Sequence, residues 1–151
     1  MNKLLFFAFL LLSVGARLYA QEGRDHAPAS VQRSFQRDYP EAHDAQWSST
    51  QGQWHANFDD HSRYDRGEMV AHYDQRGRHI DSHIRYDPND VPSPVVERAR
   101  RRYPHARDYT YTRIEHPGGQ PLFEVHLNLG SQNRTVYMDD HGRERRYDDH
   151  H

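Results

Sequence analysis

Two short segments of the chain carry apolar residues at helical spacing, residues 28–40 and 92–104. Each segment opens with proline and closes with a Tyr-Pro pair, and the residue before a proline is disfavoured in a helix. The apolar positions recur every four residues, which places them on one helix face: Val31, Phe35 and Tyr39, then Val95, Ala99 and Tyr103. The pattern predicts two helices of about three turns.

After each Tyr-Pro pair the apolar residues change to a period of two. Alternation of this kind is typical of strands with one buried face, as in an antiparallel sheet that helices cover on one side only. The alternating sets are Ala45 and Trp47, then Trp54, Ala56 and Phe58, then Met69, Ala71 and Tyr73, and later Phe123, Val125 and Leu127.

The two halves of the chain repeat one another. The stretch YPEAHDAQW, from Tyr39, is answered by YPHARDYTY, from Tyr103, and YDQRGR, from Tyr73, is answered by MDDHGR, from Met138. Asp followed three residues later by Gly predicts a hairpin turn in each half. We therefore expect an α+β fold of two tandem repeats, 28–90 and 91–147, each one helix packed on an antiparallel meander of about four strands, with one sheet face open. Whether the strands form one continuous sheet or two is left open.

The ends of the chain are predicted to lie outside this fold. Lys3 precedes an apolar run from Leu4 to Val14 and then small residues, which predicts a signal peptide over 1–20, cleaved after Ala20 or Ala16. The run is too short to span a membrane, so no membrane anchor is expected after cleavage. Residues 21–27 are predicted to be disordered, and residues 148–151 to form a tail. The signal peptide predicts a periplasmic or secreted protein. Because the chain has no cysteine, we expect that protein to be stable without disulfides.

The chain resembles the PepSY-like family of exported bacterial proteins, which is similar to beta-lactamase inhibitor protein. The resemblance rests on the helix that ends in Tyr-Pro-x-Ala, the aromatic Trp47, the strand GQWHANF (52–58) and the hairpin YDQRGR. It implies tandem helix-plus-sheet repeats with an open, concave sheet face. In the inhibitor such a face holds a loop of an enzyme, so the resemblance also implies protein binding, including inhibition of an exported hydrolase.

Charge and motifs exclude several functions. The chain has 20 basic and 22 acidic residues, which is not the basic balance that nucleic-acid binding needs. It has no G-x-S-x-G, H-E-x-x-H or P-loop motif, so we expect neither catalysis nor a cofactor. The predicted function is recognition of an unidentified exported protein or peptide through the open sheet face. The residues expected there are His55, Asn57, Val70, His72, Glu124, His126 and Tyr137.

Histidine is unusually frequent, with 13 residues, and this supports two alternatives. Alternation puts His55 and His72 on the open faces of two neighbouring strands, close enough to share an ion. His79 and His83 alternate on the next strand. The first alternative is therefore a periplasmic protein that binds or senses Zn²⁺ or Cu²⁺ through His55, His72, His79 and His83. The second is a response to acid, because exposed histidines gain charge as pH falls through about 6.5.

Overall fold

A computed structural model of the protein describes residues 26–59 and 68–147. The predicted signal peptide and the tail at 148–151 lie outside the described residues. The described chain forms two helices and eight strands, which are α1 (Ala29–Asp38), β1 (His43–Thr50), β2 (Gln53–Asp59), β3 (Glu68–Asp74), β4 (His79–Tyr86), α2 (Ser93–Arg102), β5 (Asp108–Glu115), β6 (Leu122–Asn128), β7 (Asn133–Met138) and β8 (Glu144–Arg145).

The eight strands form one antiparallel sheet in chain order. β4 pairs with β5, with Ser82 opposite Glu115 at one end and Tyr86 opposite Tyr111 at the other. This pairing answers the question that the sequence left open, because it joins the two halves into one continuous sheet. The fold is α+β with an open sheet, as the sequence predicts.

Each helix buries the face that its spacing predicts. Val31 and Phe35 of α1 are buried, as are Val95 and Ala99 of α2. Each helix ends one residue before its Tyr-Pro tyrosine, Tyr39 or Tyr103, where the following proline disfavours further helix.

Two hydrophobic cores lie between the helices and the sheet, and Tyr86 contacts both of them. In the first core the ring of Phe35 lies 4.8 Å from that of Phe58 and 5.3 Å from that of Trp47, both edge to face, which is a favourable aromatic arrangement. Ala27 is buried in the same core at 3% exposure. The disorder predicted for residues 21–27 therefore does not extend to Ala27.

An aspartate organises the hairpin that follows β3 and another organises the hairpin that follows β7. Asp74 Oδ1 accepts hydrogen bonds from the backbone N–H groups of Arg76 and Arg78, at 2.9 and 2.8 Å. Asp139 Oδ1 accepts two equivalent bonds, both at 3.0 Å, from the second and fourth residues after it. Arg78 and Arg143 also donate from Nε to the second carboxylate oxygen of their aspartate. The carboxylate thus satisfies backbone donors that the turn leaves unpaired.

Both hairpins also pack closely on the start of a helix, and glycine makes this possible. Gly77 and Gly142 have φ of +83° and +72°, the region that favours glycine. A Cβ on Gly77 would lie 2.8 Å from the carbonyl oxygen of Ser30 in α1, and a Cβ on Gly142 would lie 2.4 Å from that of Pro94 in α2. Each glycine therefore allows a hairpin of the sheet to touch the first turn of a helix.

Replacing Gly142 by alanine should destabilise the protein through both backbone strain and overlap with α2. The positive φ alone costs about 1–2 kcal/mol, and the overlap with Pro94 adds to it. Gly118 is the matched control, because its φ is +74° and its added Cβ would meet nothing within 4 Å. We expect Gly142→Ala to lower the free energy of unfolding in urea clearly more than Gly118→Ala. Equal losses would contradict the proposed contact between hairpin and helix.

Asp139 should make stability depend on pH in the acid range. Burial opposes its ionisation, but hydrogen bonds from Arg143 and Arg145 outweigh burial and hold its pKa at about 2. A carboxylate with a lowered pKa stabilises the fold above its unfolded pKa, near 4, and loses that effect as pH falls towards 2. We expect Asp139→Asn to cost on the order of 1 kcal/mol at pH 7, and the difference from wild type to shrink between pH 4 and pH 2. Asp140→Asn, at an exposed neighbouring position, should change the free energy of unfolding little. A loss of stability in Asp139→Asn that is the same at every pH would contradict a stabilising role of the Asp139 charge.

Candidate functional site

The face of the sheet opposite the two helices is the candidate site, and we call it the open face. Its side chains alternate with those of the two cores. One row of directly paired residues crosses it from β2 to β6: Asn57, Val70, His83, Ile114 and Leu122. A second row runs Arg85, Thr112, Glu124, Tyr137 and Arg145. The face therefore has an apolar centre flanked by imidazole, amide and charged groups.

The seven residues predicted to bind a partner all lie on the open face. Asn57 and His126 are exposed, and the other five are partly buried, namely His55, Val70, His72, Glu124 and Tyr137. His126 Nδ1 lies 3.1 Å from Thr135 Oγ1 on the neighbouring strand. Their role in partner binding stays a prediction.

Three histidines and an aspartate meet on the open face across β2, β3 and β4. His55 lies directly opposite His72, which lies opposite Asp81. The ring centroids of His55 and His72 are 4.6 Å apart, and those of His72 and His83 are 4.9 Å apart. His72 Nδ1 lies 2.5 Å from Asp81 Oδ1, and His83 Nε2 lies 3.5 Å from the same oxygen. We call these four residues the histidine cluster.

His79, which the sequence placed with the other metal-ligating candidates, lies on the opposite side of the sheet. The register changes after the His72–Asp81 pair, so that Tyr73 faces His79 and Ile80 is an extra residue. Such a β-bulge reverses the alternation of the strand beyond it. The ring of His79 stacks on that of Tyr73 at 5.1 Å, within the core side. His79 therefore contributes nothing to the open face. The prediction that His79 joins His55, His72 and His83 as a metal ligand is wrong.

The electrostatics of the histidine cluster centre on Asp81. Its side chain is only 8% exposed. Burial opposes its ionisation, but the imidazoles of His72 and His83 outweigh burial and hold the pKa of Asp81 well below its ordinary value. Burial and the neighbouring His72 lower the pKa of His55. Asp81 is thus a buried carboxylate charge that faces two imidazole nitrogens.

The C-terminal segment reaches the histidine cluster over the open face. The ring of Tyr147 stacks on that of Tyr137 at 4.8 Å and lies 6.2 Å from that of His116. Its hydroxyl donates to Asp81 Oδ2 across 3.5 Å, at the outer limit of hydrogen bonding. Tyr147 therefore covers one side of the cluster.

Sequence reasoning missed both Asp81 and Tyr147 as site residues. Asp81 lies between His79 and His83 at alternating positions of one strand. That spacing was a usable signal that a carboxylate lies on the same face as a histidine. The bulge at Ile80 has no such signal. The position of Tyr147 has no such signal either, because β8 covers only Glu144–Arg145 and Tyr147 lies beyond the end of that strand.

The described helices are both too short and too polar to cross a membrane. No protein-family model matches the chain, and no curated protein is similar to it in sequence.

Solved structures of several Bacteroides proteins are similar to this one in fold. A DUF2874 family protein from Bacteroides ovatus has a TM-score of 0.71 at 18% identity, with 81% of this chain and 86% of that chain covered. A protein from Bacteroides eggerthii, provisionally described as periplasmic, has a TM-score of 0.71 at 17% identity, covering 81% and 88%. A BLIP-like protein from Bacteroides fragilis has a TM-score of 0.71 at 17% identity, covering 85% and 89%. At these identities the likeness establishes the fold: this chain has the BLIP-like arrangement of two helices on an open antiparallel sheet.

Proposed function

We propose that the protein is an exported, non-enzymatic binding protein that recognises a protein or peptide through its open face. The observation that carries the proposal is the position of both helices on one side of an eight-stranded sheet, which leaves the other side without a covering helix in the described part of the chain. A rigid sheet holds its side chains in fixed positions, so a partner can bind without ordering a loop first.

The composition of the open face suits a protein partner. Val70 and Leu122 give it an apolar centre, while Tyr137 and Arg85 are of the residue types enriched at interfaces. Exposed Arg85 and Arg145 bring positive charge, and partly buried Glu124 brings negative charge. Such groups orient a partner more than they add to its affinity.

The chemistry of the described residues favours binding over catalysis. His79 Nε2 lies 2.7 Å from Ser82 Oγ, the contact that a serine nucleophile needs. Ser82 is fully buried, however, and its hydroxyl also bonds the hydroxyl of Tyr39 at 2.5 Å. No substrate reaches this serine in the folded protein, so the pair is structural.

Export and the class of partner are part of the same proposal. The apolar run from Leu4 to Val14 supports a signal peptide and a periplasmic or secreted protein. The fold likeness to a BLIP-like protein supports inhibition of an exported hydrolase as the first form of binding to test.

We also propose that the two halves are structural repeats. The element order, helix then four strands, occurs twice along the chain. Gly77 meets the carbonyl of Ser30, and Gly142 meets that of Pro94, an equivalent position 64 residues later. Asp74 and Asp139 fix the two hairpins by the same hydrogen bonds.

A matched pair of charge reversals tests the open face. Arg85 is exposed on the open face and Arg33 is exposed on α1. Immobilised wild type, Arg85→Glu and Arg33→Glu are each incubated with the exported fraction of the source cells, and the retained proteins are identified and their dissociation constants measured. We expect a protein that wild type and Arg33→Glu retain alike and that Arg85→Glu binds at least about tenfold more weakly.

Equal retention by all three proteins would contradict binding through the open face, and so would the absence of any specifically retained protein. A captured hydrolase whose activity is unchanged at saturating concentrations of this protein would exclude inhibition while leaving binding intact.

A further inference from the structure

The histidine cluster has the donor set of a transition-metal site. His72, Asp81 and His83 each offer one ligand atom, and these atoms lie within 4.8 Å of one another. They come from neighbouring strands, β3 and β4, whose pairing fixes them. The strand backbone therefore holds the three groups together before any ion binds, which reduces the entropy lost on binding.

One ligand atom of this set is buried without a hydrogen bond from any described residue. His83 Nε2 is buried and makes no hydrogen bond within the described part of the chain. It lies 3.5 Å from Asp81 Oδ1, outside well-directed hydrogen-bond geometry. A buried polar atom left without a hydrogen bond destabilises a protein, so this nitrogen points to a group that would complete the site.

The charge balance of the cluster also favours a cation. Asp81 is almost fully buried although it lies on the open face, and its neighbours His72 and His83 are imidazoles and not permanent cations such as arginine. A buried carboxylate charge is costly unless a cation or hydrogen bonds compensate it. His72 Nδ1 and the Tyr147 hydroxyl compensate the Asp81 charge in part, and an ion held between the three ligand groups would add a positive charge to this compensation.

The distances fit a small tetrahedral ion. Metal–ligand bonds of about 2.0–2.2 Å separate two ligands of a tetrahedral zinc by roughly 3.3 Å. The separation of His83 Nε2 and Asp81 Oδ1, 3.5 Å, matches this edge. His72 Nδ1 lies at hydrogen-bond distance, 2.5 Å, from Asp81 Oδ1. An ion bound between these two atoms would move them apart by less than about 1 Å.

We propose that His72, Asp81 and His83 bind one divalent transition-metal ion, Zn²⁺ or Cu²⁺, on the open face. Two imidazole nitrogens and one carboxylate suit these ions, whereas Ca²⁺ and Mg²⁺ require more oxygen ligands. Tyr147 donates to the other oxygen of Asp81 and orients the carboxylate from outside the ligand set. Three protein ligands leave a fourth position of a tetrahedral ion for water. The proposal is independent of any protein partner.

The first test is calorimetric titration of ZnCl₂ and CuCl₂ into mature protein, residues 21–151, after removal of metal with a chelator. We expect one ion per chain for wild type, and binding at least about 100-fold weaker for His72→Gln and for His83→Gln. MgCl₂ should give no binding. Circular dichroism in the presence of the chelator checks that each variant is folded.

Three controls separate the site from other histidines. His126→Gln changes an exposed histidine of the same face outside the cluster, and His141→Gln removes the second group of possible ligands, Asp139, Asp140 and His141. The third control ends the chain at Tyr147 and so removes His150 and His151. All three should bind zinc as wild type does, and loss of binding in any of them would overturn the assignment.

A second measurement does not depend on the folding of variants. Electron paramagnetic resonance of wild type with one equivalent of Cu²⁺ reads the coordinating nitrogens directly, and we expect two imidazole nitrogens. No stoichiometric ion, or an ion with no coordinated imidazole, would overturn the proposal. Failure of metal binding would leave the partner experiment untouched, because that experiment changes Arg85, which is not a ligand of the site, and it can be repeated with chelator present.

Discussion

Both helices of this protein pack on the same face of its sheet, and the pairing of β4 with β5 makes that sheet continuous. Tyr86, at the end of β4, contacts both cores and so joins the two helix-covered halves. Because each long strand turns one alternating set of side chains towards the helices, its other set must turn the opposite way. The open face is therefore a consequence of how the core is built.

The extra residue Ile80 in β4 decides which polar groups lie on that face. If β4 were a regular strand with no bulge, alternation would place His79 on the same face as Asp81 and His83. With it, His79 enters the core side, where it contacts Tyr73 and bonds Ser82, and only Asp81 and His83 face the histidines of β2 and β3. Bulges are common where a strand re-aims a side chain next to a functional site. Here the bulge separates a structural histidine from the histidine cluster.

Much of the fold could be predicted from the sequence because it depends on local patterns. The spacing of Val31, Phe35 and Tyr39 predicts the buried side of α1, and alternation in β2 and β3 places His55 opposite His72 on the open face. The continuity of the sheet could not be predicted, since it depends on pairing between β4 and β5, for which the sequence contains no local pattern. The bulge and the path of Tyr147 over the face are also long-range outcomes, so Tyr147 was missed and His79 was misplaced.

The bulge places His79 on the core side of the sheet and His72 and His83 on the open face. Nuclear magnetic resonance of the labelled mature protein can test this placement directly. We expect nuclear Overhauser contacts between the ring protons of His79 and Tyr73 and between those of His72 and His83, with the ring of His79 shielded from a soluble paramagnetic agent. A ring of His79 that this agent broadens strongly, with no contact to Tyr73, would contradict it.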